Sequence, residues 1–155
     1  MDILIAKTIH ILSAFMLCGA GFGVALRYLA SRVPRQLHAM IMSQGQFVLL
    51  DWLFTMSALM LQPLTGFWLA SAVGVSLTMP WMEASLALYG VTLCCSLGVM
   101  WLQGGMLGMA EVALRDGSEL PSRYHRYYRA WLSLGWPAFA ATLAITVLMV
   151  VRPQW

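Results

Sequence analysis

Four long stretches without a charged side chain constrain this chain more than any motif: Thr8 to Leu26, Trp52 to Met82, Ala84 to Ala110 and Ala130 to Val151. Each reaches the roughly 20 residues that a helix rising ~1.5 Å per residue needs to cross a hydrocarbon layer about 30 Å thick. The rest of the composition agrees. Of 155 residues, 61% are hydrophobic and 10% charged, with a mean hydropathy of +0.77, against about 25% charged in a soluble domain. The expectation is an all-α integral membrane protein in which residues 1–155 form one domain, a four-transmembrane-helix bundle embedded in lipid. Asp2 stands where the basic region of a cleaved leader belongs, and Arg27 closes the first span, so that span is read as a retained helix.

The arginines give the orientation. The loops Ala30 to Gln46 and Glu111 to Arg129 are basic, whereas the connection Ser71 to Trp81 carries no charge. The positive-inside rule places both basic loops in the cytoplasm. Both termini are then periplasmic, the topology is up-down-up-down, and the location is a bacterial inner membrane crossed several times. The net charge of +3 therefore reports topology and no nucleic-acid footprint. Lys7 and Arg152, near the outer surface, can snorkel. Pro63 and Pro137 fall inside the second and fourth spans, where each removes a backbone donor and frees a carbonyl.

Small residues recur at helical spacing: Gly19 with Gly23, Gly104 with Gly108, and Gly135, Ala138 and Ala141. They read as faces where helices of one chain approach closely, with a homo-oligomer seam as the other reading.

Within the spans, ionisable and amide groups are few, and each is a candidate by its rarity. His10 lies roughly 10 Å below the outer edge and Gln62 near the midplane, at 1.5 Å per residue, so the two can meet, with Glu83 at the outer end of the third helix. An imidazole in a bundle core suits axial ligation of haem or a metal. It equally suits a hydrogen bond to a neighbouring helix. Gln62 precedes Pro63 and can satisfy the backbone that the proline frees. Asp51 and Arg27 read as an interfacial ion pair, and His38 and His125 as solvated loop residues. Cys18, Cys94 and Cys95 form no CxxC, and the methionines are scattered, with Met56 and Met60 one helical turn apart. Nothing here matches a nucleophile elbow, a phosphate loop or paired catalytic carboxylates.

The run DWLFTMSALMLQPLTGFWLA at Asp51 to Ala70, with PWMEASLALYG, WLQGGMLGMA and the closing VRP, resembles the bacterial predicted integral membrane family called domain of unknown function 2269. The resemblance covers nearly the whole chain, and Gln62 to Gly66, QPLTG, is its most specific part. The first helix, with LIAKTIHILSAF and the glycines after it, is also similar to that of the four-helix membrane protoporphyrinogen oxidase and of copper-resistance D-type domains. That similarity implies haem b on His10, with a second ligand from Met60, Gln62 or nothing, and an electron-transfer or porphyrin-related role. The oxidase also uses a lysine in a later helix, and this chain has none beyond Lys7. A non-catalytic accessory subunit packed against a larger membrane complex is the alternative. A small transporter or metal-handling protein is the third reading, which the shortage of intramembrane charge disfavours.

Overall fold

The computed structural model describes residues 2–30 and 44–153. Among them every regular element is a helix: α1, Ile3–Ala30; α2, Gln44–Val73; α3, Pro80–Asp116; and α4, Ser122–Val151. Helix is the natural outcome for such sequences in lipid, because it satisfies every backbone donor and acceptor within one segment. Three helices are long and apolar enough to cross a membrane, over Val48–Val73, Pro80–Asp116 and Ser122–Val151, while Ile3–Gly19 of α1 forms a shorter apolar stretch. Residues 31–43 of the first basic loop, His38 among them, lie outside the described residues. So does the side chain of Arg27, and with it the expected pair with Asp51.

Local sequence sets the helix ends. Pro80 occupies the first turn of α3, where its missing N–H costs nothing. Gly117 closes the same helix at φ 62°, its N–H bonded to the Ala113 carbonyl, a left-handed cap that suits glycine. Pro63 and Pro137 are both carried inside continuous helices.

Pro63 has no N–H to offer the carbonyl four residues back, that of Leu59. Tyr89 of α3 supplies the substitute, its hydroxyl donating to Leu59 O at 2.5 Å. A donor lost to proline chemistry on one helix is thus replaced from another. Tyr89→Phe should leave that carbonyl unpaired and lower stability by about 1 kcal/mol, measured by denaturant unfolding of the detergent-solubilised protein.

The helices associate as two hairpins. α3 packs extensively on α4 and α1 on α2, α1 also leans on α4, and α2 meets α3 more sparsely. Val99, Leu102, Met106 and Ala110 of α3 enclose Tyr124 and Trp131 of α4. Leu17 of α1 packs with Ala58 and Leu59 of α2. At the other end of α3, Trp81 and Met82 pack on Ala70, and the Arg152 guanidinium lies 5.8 Å from the Trp81 ring centroid. Apolar residues dominate the exterior as well as the interior. Large apolar side chains such as Leu4, Phe15, Leu64, Trp101 and Val150 point outward, while Ser13, Thr55, Thr65, Ser85, Thr92, Gln103 and Thr142 are buried.

The expected glycine faces are not where the helices meet. Among the described residues, a Cβ added at Gly19, Gly23, Gly104 or Gly108 would find no atom within 4 Å. Close approach occurs instead at Gly98, where a Cβ would lie 3.0 Å from Leu134 Cδ1, and at Gly105, where it would lie 2.8 Å from Tyr127 Cε2. Gly135 and Ala141 of α4 are buried, as their spacing suggested.

Candidate functional site

His10 sits in the third turn of α1, half-buried against α2. Its Nδ1 is 2.8 Å from Thr65 Oγ1. The Thr65 hydroxyl donates its own proton to the Leu61 carbonyl at 2.5 Å, so its oxygen accepts from the ring. That assignment puts the imidazole proton on Nδ1 and a lone pair on Nε2. The ring also meets the Gln62 backbone, and Thr65 is its side-chain partner among the described residues.

The backbone at this position is gripped as well. Gln62 Nε2 donates to the His10 carbonyl at 3.1 Å, and Ser13 Oγ to the same oxygen at 2.9 Å. Gly66 leaves room for the ring, because a Cβ there would stand 3.3 Å from His10 Cε1. One turn and a half of α2 therefore supplies an amide, a hydroxyl and a gap, all aimed at one residue of α1.

Of the residues singled out in the sequence, Gln62 reaches His10, and Met60 and Glu83 do not. Met60 is offset by about 200° around α2 from Gln62 and is 63% exposed, so it faces outward. Glu83 is exposed in the first turn of α3, where its charge complements the helix dipole. Gln62 does not serve the carbonyl freed by Pro63, since Tyr89 has taken that role. Ser13, Thr65 and Gly66 are the additions that sequence reasoning missed. Thr65 and Gly66 stand three and four residues after Gln62, on the same helical face, and that spacing was the available signal. His125 is exposed, edge-on to Tyr124 with centroids 5.9 Å apart.

A family model covers residues 4–153, nearly the whole chain. The chain belongs to the predicted integral membrane protein family DUF2269. Nothing among the curated proteins or the solved structures matches it. Within this DUF2269 chain no three His, Cys, Asp or Glu side chains of the described residues gather to hold a metal ion. An imidazole that donates through Nδ1 and keeps its lone pair on Nε2 has the orientation that metal-ligating histidines receive from their hydrogen-bond partners. In that respect the donor set fits haem iron through a single protein ligand. It offers no second one, because Met60 faces away and Gln62 is bonded to the backbone.

Proposed function

We propose that this protein is a four-span, up-down-up-down bundle of a bacterial inner membrane that carries haem b on His10, in electron transfer or porphyrin handling. Both termini are assigned to the periplasmic side, on the strength of the arginine-rich inner loops. The observation that carries the reading is the hydrogen-bond relay from His10 Nδ1 through Thr65 to Leu61, which puts the ring proton on Nδ1 and the lone pair on Nε2.

Haem b, when bound, supplies one-electron chemistry. The chain's own contributions are positional. Thr65 fixes the tautomer and the plane of the ring, Gln62 and Ser13 hold the turn of α1 that bears it, and Gly66 allows the ring to lie close to α2. The outward apolar side chains of α1, Ile11, Leu12 and Phe15, keep water from the surroundings of the imidazole. Met60 faces outward and the Gln62 amide is bonded to the His10 carbonyl, so His10 would hold the group without either of them.

The test is titration of the purified full chain with haemin, followed by gel filtration and absorption spectra of the oxidised and dithionite-reduced forms. The expected result is a Soret band retained at one haem per chain, sensitive to carbon monoxide after reduction because one axial position is free. A preparation that emerges colourless after stoichiometric loading rejects the proposal.

One observation favours the alternative of an accessory subunit or a homo-oligomer. The Gly19/Gly23 and Gly104/Gly108 faces meet nothing among the described residues, which leaves two surfaces on which another helix backbone could approach closely. Retention of a stoichiometric partner in mild detergent, lost in Gly108→Leu, would mark that role.

A further inference from the structure

A second polar site lies deeper in the bundle, at the opposite end of α2 from His10 and beyond the layer formed by Leu17, Ala58 and Leu59. It is a cavity of about 40 Å³ between α2, α3 and α4, whose lining includes Asp51, Thr55, Thr92, Ser96 and Thr142. A water needs at least ~10–15 Å³ measured in this way. The space therefore admits a small ion with one or two waters.

The hydroxyls carried by the helices do not behave alike. Ser13, Ser57, Thr65, Ser71, Ser85, Ser133, Thr142 and Thr146 return their protons to a carbonyl of their own helix three or four residues back. Thr92 does not. It is 2% exposed, and its Oγ1 has no partner. Leaving such a hydroxyl unmatched costs about 1–3 kcal/mol. Ser96, one turn on, also makes no hydrogen bond among the described residues. Asp51 accepts from Thr55 Oγ1 at 3.0 Å, and no described basic side chain pairs with it. Among the described residues the half-buried carboxylate has no counter-charge, and two hydroxyls beside it lack partners.

We propose that this cavity is a site for a small monovalent cation of sodium's class, with Asp51 as the charged ligand and Thr55, Thr92, Ser96 and Thr142 as neutral oxygen ligands. The chemistry selects the ion. Oxygen donors suit hard cations, and Met100 is the one thioether in the lining, without a thiolate or imidazole beside it. A single carboxylate neutralises one positive charge, whereas calcium is bound through several carboxylate and carbonyl oxygens and magnesium keeps most of its water. The cation would also complete what the fold leaves open, since it accepts lone pairs from Thr92 and Ser96 and offsets Asp51.

The site stands apart from the haem reading, and its test takes no signal from haem. The full chain in detergent is heated in choline chloride and in sodium chloride at matched ionic strength, with tryptophan fluorescence as the readout. The wild type should show a midpoint that climbs saturably with sodium, as binding to the native state alone requires. Asp51→Asn should show no sodium dependence. Thr92→Val, which replaces an unmatched hydroxyl by a methyl, should be at least as stable as wild type in choline chloride and need about tenfold more sodium to reach saturation. A purely structural threonine would not produce that opposite pair of effects. If Asp51→Asn does not fold, radioactive sodium bound to the wild type and displaced by unlabelled sodium chloride decides the matter. Identical wild-type midpoints in the two salts, or counts no higher than in empty detergent micelles, overturn the proposal.

Discussion

His10→Ala is expected to remove the Soret band altogether from haemin-loaded protein, leaving an apoprotein that still folds. The imidazole contributes one side-chain hydrogen bond, to Thr65, and Thr65 keeps its bond to Leu61 without it. Far-ultraviolet circular dichroism should therefore remain helical while the visible spectrum is lost. Thr65→Val supplies the finer measurement. The valine preserves volume but cannot accept from Nδ1, so the ring loses its fixed tautomer while the ligating atom stays. Partners of this kind alter metal affinity by roughly 10–100-fold, and haem affinity should fall within that range with the band still present. Equal haem retention in wild type and His10→Ala would show that the porphyrin is held elsewhere or adventitiously.

The largest expected effect on stability belongs to Gly105. A Cβ there meets Tyr127 at 2.8 Å from Cε2 and 3.2 Å from Cδ2, and the tyrosine has little freedom to retreat. Its ring lies 5.8 Å from that of Trp101. Its hydroxyl accepts from Arg123 Nη2 at 2.8 Å, and the same guanidinium stands 5.2 Å over the ring. Overpacking of this sort costs typically about 1–3 kcal/mol. Gly105→Leu should reach the upper end, about 3 kcal/mol, in unfolding followed by fluorescence. Gly104→Leu is the matched control. A Cβ there meets no described atom within 4 Å and the position is exposed, so the cost should stay within about 0.5 kcal/mol. Combining Gly105→Leu with Tyr127→Ala should recover part of the loss, a coupling that distinguishes steric conflict from glycine's helix propensity.

That contrast between neighbouring glycines shows where sequence reading stopped. Uncharged span lengths predicted that four helices exist, because backbone satisfaction in lipid leaves few alternatives, but not where they end, as Trp52 to Met82 against the observed Gln44–Val73 shows. The Gly104-x-x-x-Gly108 pattern marks a face of α3 that meets no described neighbour in this chain, since Gly104 and Gly105 are equally small in a sequence and only the rotation of the helix separates them. Around His10 the reach of Gln62 was legible from depth along two antiparallel spans. Thr65 was not, because its hydroxyl could as well have bonded only within its own helix. The cavity at Asp51 escaped for a related reason. Thr55, Thr92, Ser96 and Thr142 belong to three helices and acquire a common address only when these pack.

The tyrosine hydroxyl that replaces the donor missing at Pro63 has a further implication for how the two halves of the chain recognise each other. Association of transmembrane segments lacks a hydrophobic push, so an α1–α2 hairpin inserted by itself carries a bare carbonyl that no lipid can satisfy. Docking of the α3–α4 hairpin quenches it. The imino acid therefore acts as an address label, rewarding the one companion whose phenol arrives at the right depth.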